Sequence, residues 1–196
     1  IAAHAAYALG VAKDTQAVDA LARAVGGAPD PVAREAAWAL GEIGEPARTV
    51  LSVALGDGRT APLRGSTAAS RSASVRAALV LATVKLRPAP IALVVPWLAD
   101  SSAPVVRAAA YVIGRLRAPA GVRALLTVRA HADEEVRQHV ARALTRTTVG
   151  DSLAALAREA LNAFVRDPDW RVRANAAGSV ATFGASALEA VQIGLA

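Results

Sequence analysis

Residues 30–44 read DPVAREAAWALGEIG, and this stretch decides the fold of the chain. Counted from Val32, its apolar residues occupy positions 0, 4, 7, 8 and 11, which is the spacing of one face of an α-helix. Four of its residues are alanines, and Gly44 stands where such a helix can end. Small residues on the apolar face indicate that neighbouring helices approach it closely.

The same pattern returns along the whole chain. Small residues recur at plus four and plus five and an aliphatic residue at plus eight. The copy that begins at Val75 fits loosely, with Leu79 and Val80 in place of the small pair and Thr83 at plus eight. The six copies begin at Ile1, Val32, Val75, Val105, Val136 and Val172. They are 30 to 43 residues apart, which is the period of a helical repeat.

A second apolar stretch with helical spacing lies between successive copies, as in TQAVDALARAV (15–25) and DSLAALAREALNAFV (151–165). We call this stretch helix A and the anchored stretch helix B. One such hairpin cannot bury both of its faces, so the hairpins must stack on their neighbours. The sequence therefore predicts an all-α fold, an α-α superhelix (solenoid) of about six helical-hairpin repeats.

Polar residues mark the predicted ends of the helices. Asp30, Asp133 and Asp167 stand where side-chain oxygens can cap helices B. Asp151 and Ser152 are interpreted as a capping pair for the helix A that follows them.

Four segments carry a resemblance to a known family: DPVAREAAWALGEIG, APVVRAAAYVIGRL, DEEVRQHVARAL and DPDWRVRANAAGSVATFG. They resemble HEAT repeats, particularly the short bacterial PBS-lyase-like kind, over nearly the whole chain. The resemblance implies that helix B lines a concave surface. Arginines at plus one (Arg76, Arg137, Arg173), together with Asp133 and Asp167, resemble the Asp–Arg ladder that joins turns in this family.

Composition limits the other classes of protein. The 196 residues include no Cys, which excludes disulfides and thiolate metal sites, and no apolar run is long enough to span a membrane. The net charge of +6 permits a phosphate-bearing or acidic partner. The chain starts and stops within the helical pattern and lacks Met, so we interpret residues 1–196 as a single array within a longer protein. Its compartment is left open.

Helix-B positions plus two and plus six face away from the apolar arc, and aromatic residues hold plus six in three copies. Arginine with an aromatic ring can clamp a peptide, a carboxylate or a base. The predicted partner-binding residues on this face are Tyr7, Arg34, Trp38, Arg107, Tyr111 and Arg142. The alternative is that the rings only cover the gaps between adjacent helices B.

An insertion at residues 56–74 is rich in Gly, Ser and Ala. It is either a tolerated surface loop or a docking loop for an acidic partner. The arginines that would make such contacts are Arg59, Arg64 and Arg71.

Two apparent catalytic motifs have simpler interpretations. GDSL at 150–153 matches a hydrolase motif, but the Asp and His that such an enzyme needs later in the chain are missing. His131, Glu135 and His139 are spaced by four, but a helix starting at Asp133 breaks their alignment. We therefore predict no catalytic residues, metal or cofactor.

The sequence predicts a monomeric, non-enzymatic module that binds a protein or peptide partner. Two alternatives remain open. The chain could be a non-catalytic segment of a larger enzyme, such as a peptidyl-prolyl isomerase fusion. It could also bind nucleic acid, as HEAT-type alkylpurine DNA glycosylases do, and added salt would then weaken binding steeply.

Overall fold

The computed structural model describes residues 1–56 and 71–184. Within these ranges the secondary structure is helical, with no strand. The α-helices are α1 (Ala2–Val11), α2 (Val18–Gly27), α3 (Asp30–Ile43), α4 (Arg48–Leu55), α5 (Ala73–Ala82), α6 (Ile91–Val94), α7 (Ala103–Arg115), α8 (Pro119–Thr127), α9 (Glu134–Ala143), α10 (Arg146–Val149), α11 (Ala154–Phe164) and α12 (Trp170–Ala181). Residues 57–70 of the predicted insertion (56–74) lie outside the described residues, and its last two residues belong to α5.

The chain divides into two compact units, Ile1–Val112 and Ile113–Ala196. In the first unit, helices B (α1, α3, α5) pack in sequence, and helices A (α2, α4, α6) form the second layer. In the second unit, α9 packs against α12, and α8, α10 and α11 supply the other layer. The predicted all-α fold of stacked hairpins is confirmed, and each repeat anchor falls at or near the start of a helix.

The helix ends confirm some of the predicted caps and correct others. Gly44 ends α3 with φ of 78°, and the Asp133 carboxylate accepts the backbone N–H groups of Glu135 and Val136. The prediction for Asp30 is wrong, since this residue is already inside α3 and caps nothing. Asp167 is also not the cap of α12. Asp169 is, because its carboxylate, two residues closer to the helix, accepts the first free N–H groups.

The predicted capping pair before α11 is wrong as well. Asp151 and Ser152 lie in a turn, and α11 begins at Ala154 without a side-chain cap. The Asp151 side chain is exposed and forms an ion pair with Arg146. The GDSL motif is thus a turn that begins at Gly150, whose φ is 67°, with Asp151 and Ser152 exposed and Leu153 buried.

Glycine at plus nine explains why the repeat carries so little bulk. A Cβ added at Gly10 would lie 2.7 Å from the Ala39 Cα, and one at Gly41 would lie 2.8 Å from the Ala82 Cα. A Cβ at Gly114 would lie 3.2 Å from the Cβ of Ala143, the last residue of α9. Glycine at plus nine of one helix B therefore meets alanine at plus seven of the next, three times. The two small residues set how closely the helices approach.

The apolar arc of α3 is wider than predicted. Ala36, Ala39 and Leu40 are fully buried, as expected, but so are Ala33 and Ala37. The arc is wider because a helix B touches a neighbour on each side as well as helix A. In the irregular copy, the fully buried Thr83 donates its hydroxyl to the Val80 carbonyl at 2.7 Å, so its polar group is satisfied.

Arginine at plus one joins successive repeats within each unit. Arg76 binds both carboxylate oxygens of Asp100 at 2.8 Å. Arg137 binds those of Asp167 at 2.7 and 2.9 Å. Asp100 was not predicted, although it stands five residues before its repeat anchor, as Asp167 does. The third guanidinium, on Arg173, donates to backbone carbonyls of its own turn.

The ladder carboxylates are ionised and largely shielded from water. Burial alone would raise the pKa of Asp167, but hydrogen bonds from Arg137 and from the Asp169 N–H outweigh it and leave the pKa below its usual value. For Asp100, too, burial raises the pKa, but hydrogen bonds from Arg76 and the Ser102 N–H lower it by more, so the pKa lies below its usual value. Each ladder therefore stabilises the fold only while its carboxylate is charged.

Candidate functional site

The plus-six positions of the first unit form a row of apolar side chains. Tyr7 is 51% exposed and Leu81 is 41% exposed, while Trp38 and Tyr111 are half-buried. Each belongs to a different helix B: α1, α3, α5 and α7. Because plus six lies opposite the packed arc, the helix backbone directs these side chains away from the core. We call these four residues the plus-six row.

Tyr7 and Trp38 stack on each other, with ring centroids 4.9 Å apart and planes at 14°. The indole also reaches over α1, since its Cζ3 atom would lie 2.8 Å from a Cβ at Gly10. This part of the row therefore covers the gap between two helices B, which is the alternative that the sequence left open. Stacking of this kind adds roughly 1 kcal/mol beyond the area buried.

A cavity of about 240 Å³ lies beside Trp38, and two of the three predicted aromatic residues line it. Trp38 and Tyr111 both line it, together with Leu81. The remaining lining residues come from α3, α5 and the turn after α5: Gly41, Glu42, Ala78, Ala82, Val84 and Lys85. The walls are thus almost entirely apolar, with the one acidic and one basic side chain among them.

Those two charged side chains neutralise each other. The Lys85 ammonium forms an ion pair with the Glu42 carboxylate, joining the ends of two adjacent helices B. Glu42 is mostly buried and Lys85 about half exposed. The cavity consequently offers an apolar ligand no unpaired charge on its lining.

The structure places the predicted arginines in three different situations. Arg34 is exposed on α3, one turn before Trp38. Arg107 is only partly exposed, and its Nε atom is buried. Arg142 is exposed on α9 in the second unit. Of the three, Arg34 combines exposure with direct proximity to the cavity residue Trp38.

Arg71, one of the three arginines of the possible docking loop, is engaged within the chain. Its guanidinium donates to the carbonyl oxygens of Gly26 at 3.3 Å and Ala28 at 2.7 Å, at the end of α2. Only 15% of its side chain is exposed. It fixes the start of the next repeat to a helix C-terminus, where a cation is favoured. Arg59 and Arg64 lie outside the described residues.

Leu81 is a lining residue that the sequence analysis missed. It occupies plus six of the copy that begins at Val75, so the counting rule that selected Tyr7 and Tyr111 also selects it. A search restricted to aromatic residues and arginine passes over an aliphatic side chain at the same position. The plus-six position, and not the type of side chain, is therefore what Trp38, Leu81 and Tyr111 share as lining residues.

A second cavity, of about 190 Å³, lies in the second unit between helices α8 and α11. It is lined by Arg123, Leu126, Thr127, Arg129, Leu156 and Glu159. Nearby, the Nδ1 atom of His131 accepts the N–H of Asp133 at 3.0 Å. Among the residues that the structure describes, no cluster of His, Asp or Glu could hold a metal ion.

A family model for HEAT repeats matches residues 1–72 and 122–195. The chain belongs to the HEAT repeat family. This HEAT array is a helical repeat protein, and no curated protein matches its sequence. Over the described ranges, none of its helices is long and apolar enough to cross a membrane.

Two solved structures are similar to this HEAT array. The crystal structure of an engineered protein, a Northeast Structural Genomics Consortium target, matches with a TM-score of 0.59 and 19% identity, over 98% of this chain and 90% of that one. Human deoxyhypusine hydroxylase in complex with glycerol matches with a TM-score of 0.47 and 20% identity, over 93% of this chain and 78% of that one. The first similarity supports the fold alone, and the second carries no argument.

Proposed function

We propose that this HEAT array is a non-enzymatic interaction module that binds a protein partner on the plus-six row of its first unit. The observation that carries the proposal is the apolar cavity between Trp38, Leu81 and Tyr111. Tyrosine and tryptophan are the side chains that most often supply binding energy at protein interfaces, because they bring a large apolar area with few rotatable bonds.

The size of the cavity favours a peptide side chain over a free small molecule. Its volume of about 240 Å³ is below the roughly 300–1,000 Å³ of typical small-molecule sites. One large apolar side chain of a partner would fill much of it, while the rest of the partner segment lies over the row. The paired charges of Glu42 and Lys85 leave the lining suited to such a side chain.

Selection from a random peptide library displayed on phage tests this function. We expect wild-type protein to enrich peptides with a large apolar residue, and the Leu81→Ser variant to lose that enrichment. Leu81 is 41% exposed, so its replacement should leave the helices intact, which circular dichroism checks. Trp170→Ala is the matched control, because Trp170 is 66% exposed on α12 and outside the row.

The reverse results would refute the proposal. It fails if wild type enriches nothing, or if the selected peptides bind wild type and Leu81→Ser equally well. A fluorescent DNA duplex at about 50 mM salt serves as the competing ligand. Tight, steeply salt-dependent binding of that duplex, without peptide enrichment, would support the nucleic-acid alternative instead.

A further inference from the structure

Of the two charged side chains that flank Trp38 on α3, one is paired and the other is not. Arg34, Trp38 and Glu42 succeed one another at four-residue intervals, so their side chains lie on one face of the helix. Glu42, at the C-terminal end of this line, is neutralised by Lys85. Arg34, at the other end, is exposed and has no ion pair or hydrogen bond within the described residues.

The neighbouring helices B do not supply a charge that would cancel Arg34. The plus-two positions equivalent to it are Ala3 on α1 and Ala77 on α5. Glu35 is adjacent in sequence, but successive helix residues point about 100° apart, so its carboxylate belongs to another face.

Asp30 stands one turn before Arg34 on the same face, but its carboxylate forms its ion pair with Arg71, at 3.9 Å. Since Arg71 balances Asp30 and Lys85 balances Glu42, Arg34 leaves a net positive charge on this line of α3 among the described residues, one helical turn before the indole.

From this arrangement we propose that the partner segment is acidic, with one carboxylate that meets Arg34 while a large apolar side chain enters the cavity beside Trp38. The inference rests on the proposed function and adds the chemistry of the ligand. A guanidinium binds a carboxylate through two parallel hydrogen bonds, which gives direction as well as attraction.

The spacing on α3 fixes the spacing in the ligand. Residues four apart on a helix have Cβ atoms about 5–6 Å apart. In an extended peptide each residue advances about 3.3 Å and side chains alternate, so two that point the same way are about 6–7 Å apart. The acidic residue thus stands two positions from the apolar anchor, on the same side of the segment.

A second displayed library tests this motif. Its peptides have nine residues, with the central one restricted to Leu, Phe or Trp and the other eight random. We expect wild type to enrich Asp and Glu at one of the two positions that lie two residues from the centre. Arg34→Glu should enrich Lys and Arg there instead. The control is Arg23→Glu, which makes the same change of charge at an exposed site on α2 and should keep the wild-type preference.

Affinity measurements on synthesised peptides give the size of the effect. Replacing the selected Asp by Asn should weaken binding to wild type about twofold to fivefold, the range of an exposed ion pair, and should leave binding to Arg34→Glu unweakened.

Three results would overturn the inference, and they separate it from the proposed function. Enrichment of peptides without a charge preference at these two positions would refute the acidic ligand and leave the binding function standing. Acidic residues enriched directly next to the centre would refute the pairing with Arg34. Equal enrichment of acidic residues by wild type and by Arg34→Glu would refute it too. No enrichment at all, or equal enrichment by Leu81→Ser, would remove the proposed function as well.

Discussion

Adding one methyl group at Gly41 tests whether glycine at plus nine is required for close contact between helices B. The new Cβ would lie 2.8 Å from the Ala82 Cα and 3.0 Å from the Ala82 carbonyl oxygen. Both are backbone atoms, which cannot rotate away as the end of a side chain can. Helices α3 and α5 would have to separate by about half an ångström to reach ordinary contact.

Two effects of opposite sign then compete in the Gly41→Ala variant. Overpacking a close contact costs roughly 1–3 kcal/mol. Replacing glycine by alanine within a helix stabilises it by about 1 kcal/mol. We expect the first effect to be larger, with a net loss of about 1 kcal/mol in the free energy of unfolding.

Gly178→Ala is the matched control, because Gly178 also lies inside a helix but has nothing within 4 Å of an added Cβ. It should gain the helix propensity without the clash. The difference between the two variants therefore isolates the overpacking cost of about 2 kcal/mol. For a chain of this size, that corresponds to melting midpoints roughly 4–8 °C apart by circular dichroism.

The reasoning about small residues would be refuted if Gly41→Ala melted at or above the midpoint of Gly178→Ala. That result would mean that the two helices separate at no cost. Glycine at plus nine would then have no role in helix spacing.

Arg137→Ala should lower the free energy of unfolding by about 3 kcal/mol in urea denaturation, because it leaves the buried Asp167 carboxylate without its partner. Asp151→Ala removes the exposed ion-pair partner of Arg146 and should change the free energy of unfolding by less than about 0.5 kcal/mol. Equal losses of stability in the two variants would contradict the stabilising role of the Arg137–Asp167 pair. The lowered pKa of Asp167 means that its stabilisation is complete above the unfolded value of about 3.9 and is lost as pH falls through the folded value. Below about pH 5, Asp167→Asn should therefore lose stability less steeply than wild type, and parallel acid titrations would count against this. Arg71→Ala should cost about 1–2 kcal/mol by exposing carbonyls at the end of α2, whereas Arg23→Ala on the same helix should be near neutral; matching thermal midpoints would disprove the anchoring role.

The sequence by itself determined the repeat. Its period, the helix-B anchors and the position of the plus-six row follow from apolar spacing, which depends only on 3.6 residues per turn. The cap at Asp133 and the helix end at Gly44 could also be predicted from the sequence, because both depend on interactions with residues close by in the chain. Asp169 was missed because two carboxylates stand before α12, and only the path of the turn decides which one reaches the free N–H groups.

Only the tertiary structure decided which side chains meet. Arg71 stands in a segment whose composition is typical of a loop, yet it donates to the carbonyl oxygens of Gly26 and Ala28, more than 40 residues away in sequence. The cavity beside Trp38 needs side chains from three different helices B, and the Glu42–Lys85 pair closes a similar distance along the chain. Periodicity gives the direction of each side chain around its own helix. The separation and register between helices come from packing of Gly41 on Ala82 and its equivalents, which no single segment contains.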